Sequence, residues 1–190
     1  MRLIIIDGLD GVGKDTQAEL VKERYEQRGD RVIIRSHPED DNFFGRKAKL
    51  ALLGHGGINR LKASVFYMLD VLSSIRKYFK RDDIDTLIFV RYLVGTAYLP
   101  GRLANIGYSF FERFVPTSKY MFFLDAPPDI LEDRVNIREE KEMFESLEKL
   151  EKIRKKSLRL VKHWNIIDTS GSIEETYIAV SYTHLRAHET

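Results

Sequence analysis

An apolar run, Leu3 to Ile6, leads through Asp7 into Gly8-Leu9-Asp10-Gly11-Val12-Gly13-Lys14-Asp15-Thr16. A buried strand that turns at once through glycines into a helix is the context a phosphate-binding loop requires, and it constrains the fold more than any other feature of this chain. Glycines in such a turn let backbone N–H groups face one anion, and the following helix aims the positive end of its dipole at the same point. Lys14 can reach the outer phosphates. A glycine-rich turn can also do no more than join a strand to a helix, but strand, glycine spacing, lysine and helix coincide here within the first twenty residues. Gly8, Leu9, Asp10, Gly11, Val12, Gly13, Lys14, Asp15 and Thr16 are therefore expected to hold a nucleotide. One position departs from the pattern G-x-x-x-x-G-K-[ST]. Asp15 stands where a hydroxyl would ligate magnesium, and the hydroxyl arrives one residue later, at Thr16.

Beyond the loop, apolar runs alternate with helical periodicity, which predicts an α/β fold: a doubly wound parallel sheet of five strands between two layers of helices. Strands are expected at Arg2 to Ile6, Arg31 to Arg35, Thr86 to Val90, Tyr120 to Leu124 and Asn165 to Asp168. The helix after the loop presents Ala18, Val21 and Tyr25 on one face and meets a stop signal at Gly29. Further helices are expected at Phe44 to Leu53, Ile58 to Phe79, from Pro127-Pro128 onward, and from about Phe144 to His163. Ser172 with Glu175 reads as a capping box opening a last helix. Between Ile137 and Glu148 the chain is dense in charge, which fits either a solvated helix face or a mobile lid between two helices.

With 190 residues, 43% of them hydrophobic, the chain is long enough for one core and short for two. Lys and Arg number 31 against 29 acidic residues, a net charge of +2 with no basic arm. Phosphate chemistry on a small molecule is therefore expected rather than nucleic-acid binding. The absence of cysteine removes disulfides, thiolate catalysis and cysteine metal sites. No segment is long and apolar enough for a membrane span, so no membrane partner and a cytoplasmic location are expected. Val180 to Thr190 resembles one reading frame of a transposase-type sequencing adapter throughout. On that reading the native domain covers residues 1–179 and its last helix continues differently beyond Ala179.

Taken together, Gly8 to Gln17, Arg91-Tyr92 at the end of the third strand, Leu124-Asp125-Ala126-Pro127-Pro128 with Leu131 and Arg134, and Phe144-Glu145 resemble the thymidylate kinases. These are P-loop nucleoside-monophosphate kinases that move the γ-phosphoryl group of ATP onto dTMP with Mg2+. The resemblance spans about residues 1 to 179 and implies a lid near 136–146. Several positions depart from the family: Val90 replaces the aspartate of an Asp-Arg-Tyr motif, Val71 an arginine that helps hold the nucleotide, Glu142-Met143 an acidic-arginine pair, and Leu99 a glutamine. Strand 2 also runs into Arg35-Ser36-His37-Pro38 without the arginine that often follows this proline.

Phosphoryl transfer asks a protein mainly to position two anions and neutralise spreading charge. Lys14 is expected on the β- and γ-phosphates, and Arg91, at the carboxyl end of a central strand, on the acceptor phosphate or in a structural ion pair. Arg134 and Arg138 share a helix face and could close over ATP, although Arg134 equally suits a plain surface. The resemblance implies that Arg138 supplies a catalytic charge from the lid, because Gly11 follows Asp10 in the loop. It also implies that Asp10 accepts a hydrogen bond from the acceptor sugar, against a local turn bond as the plainer alternative. Tyr67 and Tyr98 are assigned to the acceptor base pocket by resemblance, whereas Phe66 is expected in the core. Asp15 and Thr16 are expected on the metal side, Asp15 compensating for Val90. His37 and His55 lack partners at ligand spacing and read as solvated loop residues. The resemblance further implies a homodimer through the long helix Ile58 to Phe79. Two rival readings stand: a relative with a different acceptor, and a catalytically weak nucleotide sensor.

Overall fold

The computed structural model describes residues 1–54, 56–99, 102–136 and 147–186. Strands β1 (Arg2–Gly8), β2 (Val32–Ser36), β3 (Thr86–Val90), β4 (Met121–Asp125) and β5 (Asn165–Asp168) form one parallel sheet in the order β2-β3-β1-β4-β5. The three central strands are apolar without alternation because helices cover both sides of them: Ile4 to Ile6, Leu87 to Val90 and Phe122 to Leu124 expose no surface. β1 runs two residues past its expected end, since Asp7 and Gly8 pair with Phe123 and Leu124 of β4. That extension carries the ladder to the mouth of the glycine loop. β2 and β4 each begin and end one residue later than the sequence suggests.

Helices α1 (Lys14–Glu26), α2 (Phe43–Leu52), α3 (Gly57–Tyr78), α4 (Leu103–Phe114), α5 (Pro128–Asn136), α6 (Leu147–Leu160) and α7 (Ile173–Arg186) connect and flank the strands. α1 ends three residues before Gly29, whose N–H then bonds to Glu26 O at 2.9 Å. The expected capping box is present: Glu175 N donates to Ser172 Oγ at 3.1 Å, and Ser172 N donates to Glu175 Oε2 at 2.8 Å. Asn42 caps α2 by accepting from Gly45 N at 3.0 Å. Two elements went unread in the sequence, a 3₁₀ turn over Val94–Tyr98 and α4. α4 buries Ala104, Tyr108 and Phe111 and exposes Leu103, Ile106, Phe110 and Phe114 as an apolar stripe at helical spacing, with Asn105, Ser109, Glu112 and Arg113 on the opposite side.

Candidate active site

All strands point their carboxyl ends the same way, and the end of β1 lies between those of β3 and β4, where ligands bind in open α/β sheets. Gly8 is required there by close approach: a Cβ at this position would fall 2.5 Å from Leu124 O and 2.8 Å from Val12 Cγ2. Gly13 sits at φ 84°, in the left-handed region, and hands the chain to α1 with no side chain capping the first turn. The leading N–H groups of α1 are thus left for an anion. Lys14 is buried beneath the loop, its Nζ donating to Leu9 O at 2.8 Å and Asp10 Oδ1 at 3.1 Å. Burial and the neighbouring Arg91 hold its pKa below the usual lysine value, partly opposed by Asp10 and Asp15.

Arg91 is the cation facing the loop from the end of β3. Its Nη1 meets both oxygens of Asp15 at 3.1 and 3.0 Å and Ser36 Oγ at 3.0 Å, while Nη2 lies 3.5 Å from Asp10 Oδ1. Burial works against this charge, but Asp10 and Asp15 more than offset it and raise the arginine's pKa. Asp15 also accepts from Ser36 Oγ at 2.7 Å; burial pushes its carboxyl pKa up, but Arg91, Ser36 and Lys14 together hold it below the usual range. The backbone of Arg91 is held at φ 54°, a conformation uncommon outside glycine. It is pinned by its N–H to Ile6 O at 3.3 Å and by the Tyr67 hydroxyl, which donates to Arg91 O. Just past it, the N–H groups of Tyr92, Leu93 and Val94 converge on Asp7 Oδ2 at 2.8, 3.0 and 3.0 Å. The other oxygen of Asp7 accepts from Gly8 N at 2.9 Å.

Across the mouth, Tyr67 of α3 lies over the 3₁₀ turn, and a Cβ on Gly95 would come within 2.5 Å of its ring. Burial raises the Tyr67 hydroxyl pKa well above the ordinary tyrosine value, so it acts as a donor. The Tyr98 hydroxyl reaches Asp10 Oδ2 at 3.5 Å. His37, expected in solvent, is buried instead: it is 1% exposed, with Nδ1 at 3.2 Å from Val90 O and its ring edge-on to Tyr67. The strand extension to Ser36 draws it in, and burial lowers its pKa to about 4, so it is neutral. The adjoining segment is tied down by buried Asp70 of α3, which accepts from Glu39 N at 2.9 Å and Asn42 Nδ2 at 2.5 Å.

The thymidylate kinase family model matches residues 6–179, which include the loop, Arg91 and Tyr67. The chain belongs to the thymidylate kinase family. It is 28% identical to a probable thymidylate kinase of Thermococcus gammatolerans, over 92% of this chain and 91% of that protein. A probable thymidylate kinase of Thermococcus kodakarensis is 29% identical over 90% of each chain. In fold it resembles the thymidylate kinase structure from Candida albicans, with TM-score 0.74, 17% identity, and 99% of this chain and 92% of that one covered. Family membership makes this chain a nucleoside-monophosphate kinase with ATP as phosphoryl donor and dTMP as acceptor.

Within this thymidylate kinase fold, Lys14, Asp10, Asp15, Arg91, Tyr67 and Tyr98 come together at one mouth. Asp10 is met by Lys14, Arg91 and Tyr98. Thr16 is exposed on the first turn of α1. Arg134 is not a loose surface residue: its guanidinium donates to Gly11 O at 3.4 Å and Thr169 O at 2.8 Å, joining the loop to the end of β5. Arg138, the lid near 136–146 from residue 137 onward, and His55 lie outside the described residues. Phe66, expected in the core, is half-buried instead and meets Phe43 of α2 edge-on, because α3 turns that position toward α2. Val90 and Val71 expose no surface, so both departures from the family pattern extend the core. Asp7 and His37 are the site residues that sequence reading missed. A lone carboxylate closing an apolar strand, directly ahead of the first loop glycine, was the available signal for Asp7.

Proposed function

We propose that this kinase binds ATP with its β- and γ-phosphates in the Gly8–Thr16 loop on Lys14, and holds the dTMP phosphate on Arg91. The observation that carries the reading is the approach of two cations from different elements, the start of α1 and the end of β3, to one carboxylate: Lys14 and Arg91 lie 3.1 and 3.5 Å from Asp10 Oδ1. They are placed to grip donor and acceptor anions side by side, so an acceptor phosphate oxygen attacks the γ-phosphorus and ADP leaves. Arg134 supports the donor side from Gly11 O and Thr169 O. Tyr67 and Tyr98 line the acceptor side, with Asp10 facing the sugar. Arg138 is proposed to add charge from the lid.

The donor set suits magnesium. Asp15 is a half-exposed carboxylate beside the loop, Thr16 follows with a hydroxyl, and no cluster of three or more metal-binding side chains occurs among the described residues. Mg2+ favours one or two carboxylates plus substrate phosphates over an all-protein cage. Asp15 and Thr16 would hold it, and when bound it would neutralise charge on the β- and γ-phosphates. Asp15 must then leave Arg91, which frees that guanidinium for the acceptor.

A second copy of this chain is the proposed partner. Ile58, Leu61, Val65 and Leu72 form an exposed apolar stripe along α3, flanked by exposed Phe43 and Leu50 of α2. Light scattering on the purified protein should give twice the chain mass, and Val65→Glu should give the single mass. No helix among the described residues is long and apolar enough to cross a membrane.

The catalytic reading is tested by supplying Mg-ATP with a panel of ribo- and deoxynucleoside monophosphates and following diphosphates by chromatography. Fastest conversion of dTMP is expected. A different preferred acceptor would overturn the dTMP assignment, and no diphosphate from any acceptor would overturn the kinase reading.

A further inference from the structure

Asp7 carries out a task that neither the loop motif nor the Arg91-Tyr92 pair describes. Its carboxylate is 1% exposed and accepts four backbone N–H groups, from Gly8 on one side and Tyr92, Leu93 and Val94 on the other. Gly8 opens the donor-phosphate loop, and Tyr92 directly follows Arg91. One side chain therefore ties the start of the loop that presents Lys14 to the residues directly after Arg91. We propose that Asp7 is a positioning residue that sets the acceptor-phosphate arginine, Arg91, in register with the phosphate loop.

Three further observations support this. Arg91 has a left-handed backbone, which persists only where its surroundings determine it. The three consecutive N–H groups on Asp7 Oδ2 curl the chain at once after Arg91 into the 3₁₀ turn, which fixes the direction in which the arginine leaves β3. A carboxylate is suited to the task because it only accepts: an amide of the same shape has one oxygen, and its NH₂ would face N–H groups. Burial raises the Asp7 carboxyl pKa on balance, against the N–H bonds from Val94, Gly8 and Tyr92 and the charge of Lys14, so its negative charge depends on keeping those partners. Asp7 needs no contact with either nucleotide; it acts through where it holds Arg91.

The inference rests on Arg91 being the acceptor grip, so it is tested by one readout with substrate and one without. Asp7→Asn is compared with wild type by steady-state kinetics, varying dTMP and Mg-ATP separately. In parallel the Arg91 guanidinium resonance is followed by 15N NMR without nucleotide, assigned by its loss in Arg91→Lys. The expected result is a dTMP KM raised roughly 10- to 100-fold, the cost of misplacing a group by about 1 Å. The ATP KM should stay unchanged, and the Arg91 resonance should shift or broaden. A merely structural carboxylate would lower the melting temperature while folded enzyme kept both KM values and the resonance, and that result overturns the proposal. Equal rises in both KM values also overturn it. If Asp7→Asn does not fold, Asp7→Glu, which keeps the charge but lengthens the arm, carries the same comparison with the same outcomes. Wild-type enzyme that fails to phosphorylate dTMP refutes the dTMP assignment and not this proposal. The Arg91 resonance then decides this proposal: unchanged in the variant it overturns it, displaced it supports it.

Discussion

Gly95→Ala is the sharpest probe of the wall proposed to line the acceptor. The added Cβ would fall 2.5 Å from Tyr67 Cε1, 2.7 Å from Cζ and 3.0 Å from the hydroxyl, against 3.4–4 Å for ordinary contact. The ring must therefore retreat by about 1 Å, which forfeits the bond from its hydroxyl to Arg91 O. Overpacking costs about 1–3 kcal/mol and the lost hydrogen bond about 0.5–1.5 kcal/mol, roughly 2–4 kcal/mol together. At about 2–4 °C per kcal/mol for a chain of this size, the melting temperature should fall by about 5–15 °C. The dTMP KM should rise roughly tenfold or more as Arg91 loses a support, with the ATP KM unchanged. Calorimetry and steady-state kinetics read both effects. Tyr67→Ala in the same background should relieve the clash, so that adding Gly95→Ala to Tyr67→Ala costs almost no further stability. A variant with unchanged melting temperature and unchanged acceptor KM would refute the reasoning.

Lys14→Met should leave the fold intact and lower kcat by roughly 10²–10³, the scale for losing one charged donor at a developing anion; undiminished turnover in a coupled ADP assay would sink the assignment. Tyr108→Phe removes the hydroxyl that accepts from Trp164 Nε1 at 2.8 Å in the core. The orphaned indole N–H should cost about 1–3 kcal/mol, and a calorimetric melt equal to wild type would contradict this. His37 is neutral in the fold, with its pKa lowered to about 4, beside Asp70 and Arg35. Between about pH 6.5 and 4 the unfolded chain binds a proton that the folded one refuses, so stability falls as pH drops through that window, by on the order of 3 kcal/mol. Urea denaturation at a series of pH values should show this acid limb flattened in His37→Asn, and an identical limb in both proteins would exclude His37 as its source.

Legibility followed the range of the interactions involved. β3 and β5 were found to the residue, and β1, β2 and β4 to within two, because buried parallel strands are written as local apolar runs. The loop and the capping box were equally plain, since each lies within a few successive residues. α4 was legible but overlooked: Leu103, Ile106, Phe110 and Phe114 recur at helical spacing, with Gly107, a weak helix former, inside the run. Asp7 and His37 escaped for another reason: their partners lie 85 and 53 residues away, so each reads as an ordinary polar residue until the sheet brings β3 alongside. Asp15 shows the same limit. The sequence marks it as an anomaly in a motif, and only the fold shows that it engages Arg91 and Ser36.

The order of the sheet also bears on how the chain is made. β1 emerges from the ribosome before every other element, yet it lies between β3 and β4, with Ile4 opposite Ile88 and Ile5 opposite Met121. At about 5–20 residues per second, its second neighbour follows roughly 6–20 seconds later. For that interval an apolar central strand has an unpaired edge, and the phosphate loop at its end lacks the β4 side of its wall. A pause in translation between β3 and β4 would lengthen the exposure of Ile4 to Ile6 to chaperones and to other nascent chains.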